Sequence, residues 1–305
     1  MEGVKKRVVT IGGGHGSHTL LTGLKKYWID IDAVVSTFDS GGSGGRLGQE
    51  LGTLPWGDVR LAFTALASDK EPHAKLARAM NYRFNGGSSL DGHAMGNLML
   101  NAIQLEKGNA QEALQEAEAW LGLGEGRHVL PVSLEKATLV AVMEEGGVIY
   151  GEKEIGASDG SVGGVYLDPI PRPYAPVLEA IRKADAVILG PGDLYTSVIP
   201  NLLVGGVAKA ICDSNAKTVY VCNVATKKSE TSGFKGSDFI ARLAPYMMGV
   251  PDYAIFNSRR GDNGHVDVDE AAVRALGTEP VLADVLGEGD RHHPHRLGQV
   301  VRVLI

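Results

Sequence analysis

The sequence lacks the features that direct a chain to a membrane, an oxidising compartment or a nucleic acid. It has 305 residues, and it contains no run of about eighteen apolar residues, so no transmembrane helix is expected. The formal net charge of −6 is not offset by a long basic run, which argues against a general nucleic-acid binder. Only Cys212 and Cys222 occur. They flank a predicted helix-to-strand passage where their side chains need not meet, which predicts free thiols in a reducing cytoplasm.

What is present is ordinary globular material, 44% hydrophobic and 22% charged, with enough length for a large core. Predicted strands alternate with helices, as in a doubly wound, mostly parallel sheet of the Rossmann-like α/β class. We expect one domain over residues 1–305, with a helical excursion at about 58–126 and a β-rich excursion at about 127–170. The β-rich segment either extends the main sheet or forms a smaller one.

Hydrophobic periodicity and turn residues place the individual elements. A first strand begins at Val8, and the other predicted strands are Ile31–Phe38, Val129–Val132, Ala137–Met143, Val148–Tyr150, Val162–Asp168, Ala186–Leu189, Thr218–Val221 and Ala254–Asn257. The predicted helices are the segment from Leu61 to Leu66, then Glu71–Tyr82, Gly92–Leu105, Ala110–Leu121, Tyr174–Lys183 and Leu202–Ser214.

The first strand runs into a glycine-rich turn and then into a helix with one apolar face. Gly12, Gly13 and Gly14 precede His15, and glycines at such a turn let the backbone approach a ligand closely. The N–H groups of the following helix favour an anion there, which predicts a phosphate cradle. Gly12, Gly14 and Ser17 form G-x-G-x-x-S, a near miss of the dinucleotide fingerprint, and no P-loop lysine follows.

A second glycine-rich loop follows the second strand. Asp39 ends that strand, where it either binds a ribose or a metal or caps its own loop. Gly41, Gly42 and Ser43 come next, and Arg46 offers a bidentate donor. Two such strand ends side by side in a parallel sheet would wrap a diphosphate from both sides.

Further polar residues follow other predicted strands and turns. Asp58 is placed to cap a helix, while His93 and Asn97 lie four apart on one helix face, where they reach the ligand unless the histidine is buried. Glu230 is either a general base or a solvated loop acid. The remaining candidate ligand-binding residues are His15, Asp58, Arg60, Gly190, Gly192, Asp193, Tyr195, Ser197, Asn201, Asn223, Thr226 and Arg291.

The catalytic candidates are Asp39, Asp193 and Glu230, and the first two are also candidate magnesium ligands. His292, His293 and His295 resemble a metal cluster, but Pro294 interrupts helical spacing, so a surface run is expected.

Several stretches in order along the chain resemble the superfamily of bacterial gluconeogenesis factors and 2-phospho-L-lactate transferases, with the gluconeogenesis-factor branch more similar. The matching stretches are Ile11 to Gly14, Asp39 to Leu47, Pro55 to Arg60, Gly92 to Leu98, Gly190 to Val204, and, more weakly, Thr226 to Gly233 and Arg291 to Pro294. The sequence departs from the family pattern at several sites: His15 replaces threonine, Ser40 replaces the second acid of an Asp-Asp pair, and Asp193 replaces serine. In addition, Ala225 replaces methionine, Lys227-Lys228 replace Gln-Pro, and Ala272 or Val273 stands where an aromatic residue is common.

The resemblance implies a nucleotide diphosphate or nucleotide sugar at the strand ends. We expect a cytoplasmic regulator of carbon metabolism or cell-wall growth that binds a UDP-sugar-like ligand. The alternative is a transferase that moves a phospholactyl or phosphoenolpyruvyl group from a guanosine diphospho donor to a deazaflavin with magnesium. A weaker third reading is an NAD-dependent oxidoreductase. Because Ser40 leaves one carboxylate in its loop, we expect binding to depend only weakly on magnesium. Self-association into a homo-oligomer stays open.

Overall fold

Seven parallel strands form the central sheet of the protein, which the computed structural model describes over residues 5–259 and 264–305. The strand order is β10-β9-β8-β7-β1-β2-β3, so the direction of winding reverses between β1 and β7. The strands are β1 Lys6–Gly12, β2 Ile29–Val35, β3 Arg127–Pro131, β7 Ala186–Leu189, β8 Lys217–Val221, β9 Tyr253–Asn257 and β10 Glu279–Ala283. This confirms the doubly wound α/β prediction, and it places the topological switch point between β1 and β7.

The central sheet lies between two layers of helices, as its apolar strands require. Every residue of β7 is buried, as are the last five residues of β1, because helices cover both faces of the sheet. The helices are α1 Gly14–Leu24, α2 Gly42–Leu51, α3 Gly57–Leu66, α4 His73–Met80, α5 Met95–Lys107, α6 Ala110–Leu121, α7 Glu152–Gly156, α8 Ala175–Lys183, α9 Ile199–Leu202, α10 Val207–Cys212, α11 Gly236–Met247, α12 Glu270–Ala275 and α13 Pro294–Leu304. None of these described helices is long and apolar enough to cross a membrane.

The β-rich segment contributes to both sheets. β3 extends the main sheet, pairing in parallel with β2. The strands β4 Thr138–Met143, β5 Val148–Tyr150 and β6 Val162–Asp168 form a separate antiparallel sheet in the order β5-β4-β6. The short helix α7 follows β5 and returns the chain towards the main sheet.

Several predicted boundaries are wrong for identifiable reasons. The second glycine-rich loop is mostly the first turns of α2, which begins at Gly42. The predicted helix Leu202–Ser214 is divided into α9 and α10, because the chain turns at Gly206, which has a φ of 88°. Pro294 does not interrupt a helix but begins α13, a position where the missing N–H costs no hydrogen bond. Cys212 and Cys222 are free, as predicted.

Helices α1 and α13 cross at glycine. A Cβ on Gly298 would lie 2.9 Å from the Gly23 carbonyl carbon, closer than real side chains approach. We therefore expect Gly298→Ala to destabilise the protein by about 1–3 kcal/mol through overpacking, although alanine is the better helix former. Urea unfolding measures the change. Val303→Ala, at a position that is 84% exposed on the same helix, is the control and should change stability by less than about 0.5 kcal/mol. A stabilised Gly298→Ala would contradict this close packing.

Candidate functional site

A cavity of about 400 Å³ lies at the carboxyl ends of β1, β2 and β7, beside the switch point of the sheet. We call it the switch-point cavity. Its lining residues are Gly13, Gly14, His15, Gly16, Ser36, Asp39, Gly42, Asp58, Glu152, Gly192, Asp193, Thr196 and Ser197. Ligands of open α/β sheets bind in this position. The predicted ligand-binding residues that line it are Gly13, Gly14, His15, Asp39, Gly42, Asp58, Gly192, Asp193 and Ser197.

The first glycine loop forms one wall of the switch-point cavity. Gly13 is the N-cap of α1, and Gly14 begins the helix with a φ of 65°, which favours glycine. A Cβ on Gly14 would meet nothing within 4 Å, whereas one on Gly13 would overlap the Asp58 carboxylate. The first N–H groups of α1 have no partner within the helix and carry its positive dipole. This wall is suited to a phosphate, and Gly13 is also required for Asp58 to fit.

Three carboxyl groups form the facing wall. Asp39 and Asp58 lie close enough for their charges to interact, and Asp39 forms a side-chain hydrogen bond with Glu152. Burial, together with the charge of Asp39, raises the pKa of Asp58 to about 7, although the Gly14 N–H donates to it. Burial and the charges of Asp39 and Asp58 raise the pKa of Glu152 to about 8. The cluster therefore holds protons or attracts a cation near neutral pH.

The prediction that Asp39 caps its own loop or binds a ligand is resolved in part. The Gly41 N–H donates to Asp39 Oδ1 at 2.7 Å, and the side chain also lines the switch-point cavity. Ser40, the position without a second acid, instead anchors α7: its Oγ accepts from the Lys153 N–H at 3.1 Å and donates to Glu154 at 3.2 Å. Glu152, which our sequence analysis missed, is held at the cavity by this contact.

Glu230 is neither a solvated loop acid nor a base that faces the cavity. Its side chain is fully buried and accepts from Tyr195 N at 2.9 Å and from Thr196 Oγ1 at 2.7 Å. Lys227 Nζ bridges Glu230 at 2.8 Å and Asp193 at 2.6 Å. Glu230 thus fixes the turn after β7, and Asp193 enters the cavity already paired with a lysine.

Two other residues predicted at this turn lie in the core. The chain forms a π-helical turn over Leu194–Val198, and this turn directs the Tyr195 ring inward, where it is 1% exposed. Asn201 is fully buried, and its Nδ2 donates to the Ser197 carbonyl at 2.8 Å. Their prediction as ligand-binding residues is not supported by this geometry, because neither side chain lines the switch-point cavity.

The helix α2 is held from behind by a buried polar network. Ser43 Oγ accepts from Asn97 Nδ2 at 2.9 Å and lies 3.3 Å from His93 Nδ1. Arg60 Nε donates to Asn97 Oδ1 at 3.0 Å, and the guanidinium also donates to Asn81. Arg60, His93 and Asn97 therefore position α2, α3 and α5 relative to one another. Contrary to the prediction, these three residues do not line the switch-point cavity.

A second cavity of about 330 Å³, which we call the adjoining cavity, shares His15, Gly16, Gly192 and Asp193 with the first. It brings together the predicted residues Asn223, Thr226 and Arg291. Burial and the nearby Arg291 lower the pKa of His15, which favours the neutral imidazole. These residues stand next to the glycine loop, as a nucleoside attached to a bound diphosphate would require.

The three histidines near the C-terminus are not a surface run. His292 lies 3.1 Å from the Cys222 carbonyl through Nε2, and burial lowers its pKa to about 4. His293 caps α13 by accepting from the Arg296 N–H. His295 alone is exposed. In the part of the chain that the structure describes, no group of three or more histidine, cysteine or acidic side chains has the arrangement of a metal site.

Arg46 lies outside both cavities. It lines a third, wider cavity of about 760 Å³ on the other side of Gly42, which we call the open cavity. Gly41, Ser43 and Gln49 also line it. The second glycine loop thus separates two spaces, so Arg46 does not face the α1 wall as the sequence suggested.

A further cavity of about 560 Å³ lies between α6 and α8, beside β3. Its polar residues include Asp32, Glu118 and His128. It contains none of the predicted site residues and none of the glycine loops, so we do not assign the site there.

The strand order and the glycine loops at its switch point define an α/β protein of Rossmann-like topology with a candidate anion site. Comparison with known proteins places it more narrowly. Residues 8–286 match the family described as 2-phospho-L-lactate transferase CofD, and the chain belongs to this family.

Curated relatives and solved structures agree with this assignment. A Thermotoga maritima protein is 40% identical, covering 97% of this chain and 98% of its own length. The gluconeogenesis factor of Bacillus subtilis is 35% identical, covering 98% of each chain. A crystal structure of a Bacillus halodurans protein superposes with a TM-score of 0.92 at 35% identity, covering 98% of this chain and 99% of the other. The resemblance to gluconeogenesis factors and the fold class are both confirmed.

The network around Glu230 gives a stability test with a neighbouring control. Lys227→Gln removes the cation that faces the buried Glu230 carboxylate. We expect the free energy of unfolding to fall by about 3 kcal/mol. This value is near the lower limit for breaking a buried ion pair, because the lysine is partly exposed. Lys228→Gln removes an ion pair with Asp159 whose side chains are both more than 80% exposed, and should not change stability measurably. Equal effects in chemical unfolding would show that Glu230 is not held as described.

The half-buried acids of the switch-point cavity give a pH test. The folded protein keeps a proton on Asp58 up to about pH 7, while the unfolded chain releases it near its ordinary pKa of 3.8. Stability should therefore fall as the pH rises between these values. With EDTA present, Asp58→Asn should flatten this decline and be more stable than wild type by about 2 kcal/mol at pH 8. The exposed Asp213→Asn is the control. A variant less stable than wild type at pH 8 would contradict the burial of an uncompensated charge.

Proposed function

We propose that the protein binds a nucleoside diphosphate or nucleotide sugar together with a divalent cation, and that it acts as a regulatory binding protein. The observation that carries the proposal is the switch-point cavity, in which the N-terminus of α1 faces a cluster of carboxylates. A diphosphate has the charge and size to lie against the helix terminus. The adjoining cavity, with Asn223 and Arg291, has space for the nucleoside.

The charge of the cavity supports a requirement for metal. Four of its described lining residues are acidic, namely Asp39, Asp58, Glu152 and Asp193, and no lysine or arginine is among them. A diphosphate in this space would be repelled unless a cation lay between it and the acids. The expectation of weak magnesium dependence rested on the single carboxylate of the second glycine loop. The carboxyl groups of Asp58 and Glu152, which lie beside Asp39, instead support a stronger dependence.

Asp39 and Asp58 fit a magnesium ion better than Asp193 does. Magnesium is commonly held by one or two carboxylates, substrate phosphates and water. The carboxyls of Asp39 and Asp58 come from the ends of different elements and influence each other's ionisation. Asp193 is already engaged by Lys227 Nζ at 2.6 Å. When bound, the metal would neutralise the phosphates and the two acids together.

The regulatory role rests on two supports. Relatives over nearly the whole chain in Bacillus subtilis and Halalkalibacterium halodurans are named gluconeogenesis factors, which links the proposal to carbon metabolism. In addition, Glu230, the predicted base, is used entirely in internal hydrogen bonds. A transferase is the second candidate, favoured by the family description and by the open cavity, which gives space for an acceptor next to Gly42.

Calorimetric titration with UDP-glucose, GDP and NAD, first in EDTA and then in millimolar magnesium, tests the binding proposal. We expect one nucleotide diphosphate to bind in magnesium and to lose at least about tenfold in affinity in EDTA, which corresponds to about 1.4 kcal/mol. Asp58→Asn should remove most of this difference, since it removes a proposed metal ligand. Arg291→Ala should weaken binding by about 1–3 kcal/mol in both conditions.

The outcomes separate the alternatives. Metal-independent binding would contradict the proposed role of the acids, and preferred binding of NAD would favour a dehydrogenase. Mass spectrometry of the nucleotide after incubation with a deazaflavin acceptor distinguishes regulator from transferase. An unchanged ligand is the result we expect. Release of a nucleoside monophosphate would establish the transferase.

A further inference from the structure

The open cavity borders the switch-point cavity, and the charges of their lining residues differ. The two share Gly42, and Ser40, which follows Asp39, also lines the open cavity. The charged residues of the open cavity are Arg46, Lys153 and Glu154, so its described lining has a net charge of +1 if all three are ionised. A ligand that extends from the switch-point cavity into the open cavity would pass from a lining of acidic side chains to a lining with a net positive charge.

Arg46 is held in place at this cavity. Its Nε donates to the Gly42 carbonyl at 3.0 Å, so the guanidinium is fixed against the first turn of α2. One terminal nitrogen lies near Gly92, where an added Cβ would approach it to 3.3 Å. The remaining N–H groups are available for a planar anion, which guanidinium binds in bidentate geometry.

Lys153 and Tyr150 complete the cavity from the small sheet and α7. The stem of Lys153 lies over Gly41, where an added Cβ would contact it at 2.9 Å, so the stem packs against the second glycine loop. The Lys153 N–H is also bonded to Ser40 Oγ, which fixes the start of α7. Tyr150 lines the same cavity and is 60% exposed, which leaves its ring accessible to a sugar or a planar group.

We propose that the open cavity binds a carboxylate-bearing group at the end of the ligand distal to the nucleoside, with Arg46 and Lys153 as its cationic partners and Tyr150 as its packing surface. This inference rests on the proposed function, because it assumes that the diphosphate lies in the switch-point cavity. It adds a class of ligand: nucleotide sugars whose sugar carries an acid are preferred to those with a neutral sugar. The specificity is electrostatic, because the described lining of the open cavity has a net positive charge when its three charged residues are ionised.

Paired nucleotide sugars test the inference without assuming the base. Calorimetry would compare UDP-glucuronate with UDP-glucose, and GDP-mannuronate with GDP-mannose, in magnesium at fixed ionic strength. In the series whose base is recognised, we expect the acidic sugar to bind about tenfold more tightly because of its charge-assisted hydrogen bonds. Arg46→Gln and Lys153→Gln should each reduce this preference at least about threefold, and should leave binding of the free diphosphate unchanged.

Two control variants separate a loss of preference for the acidic sugar from a general loss of binding. Arg291→Gln, in the adjoining cavity, should weaken both members of a pair equally, and the exposed Lys228→Gln should change neither. Equal binding of acidic and neutral sugars, or a preference that persists in Arg46→Gln, would overturn this inference alone. If no nucleotide of either series binds, the proposed function fails, and the inference fails with it.

Discussion

The crowding of three half-buried carboxyl groups at the carboxyl end of the sheet is the constraint on which the site depends. Asp58 fits only because Gly13 has no side chain, and it accepts a hydrogen bond from the first N–H of α1. Asp39 accepts from Gly41 at the start of α2. Glu152 arrives on α7. The cluster thus joins two helix N-termini to the small sheet. Desolvation, followed by the charges of the neighbouring acids, raises the pKa values of Asp58 and Glu152.

Such an arrangement costs folding free energy and is retained where a ligand or cation compensates for it. The surrounding residues fix the positions of the acids but do not neutralise their charges. Ser40 fixes α7 by two hydrogen bonds, and the buried network of Ser43, Asn97 and Arg60 fixes α2 and α3. Lys227, the nearby cation, is occupied by Asp193 and Glu230. No lysine or arginine is among the described residues that line the switch-point cavity, so the acids have no cationic side-chain partner there.

The fold and the glycine loops could be predicted from sequence because their signals are local. Apolar runs gave β1 and β7, and glycines after a strand indicated the α1 turn. Glu152 could not be predicted, because its approach to Asp39 depends on how a separate sheet packs more than a hundred residues later. Tyr195 was misplaced because a π-helical turn, which has no simple sequence pattern, rotates its ring into the core.

Polar residues in family-like motifs divide into those that face the cavity and those that support it, and spacing does not distinguish the two. His93 and Asn97 share a helix face, as predicted, but that face contacts Ser43 on α2 rather than the cavity. Glu230 has the residue type of a base, yet the turn after β7 and Lys227 take all of its hydrogen bonds. Only the tertiary packing decides these roles.

A crystal structure with the bound nucleotide diphosphate and Mn²⁺, with anomalous scattering used to locate the metal, would show whether the acids of the switch-point cavity hold a cation. We expect one anomalous peak in contact with Asp39 and Asp58, with phosphate oxygens between the metal and the first turn of α1. A diphosphate that occupies the switch-point cavity with no metal at these acids, or one bound elsewhere on the protein, would contradict it.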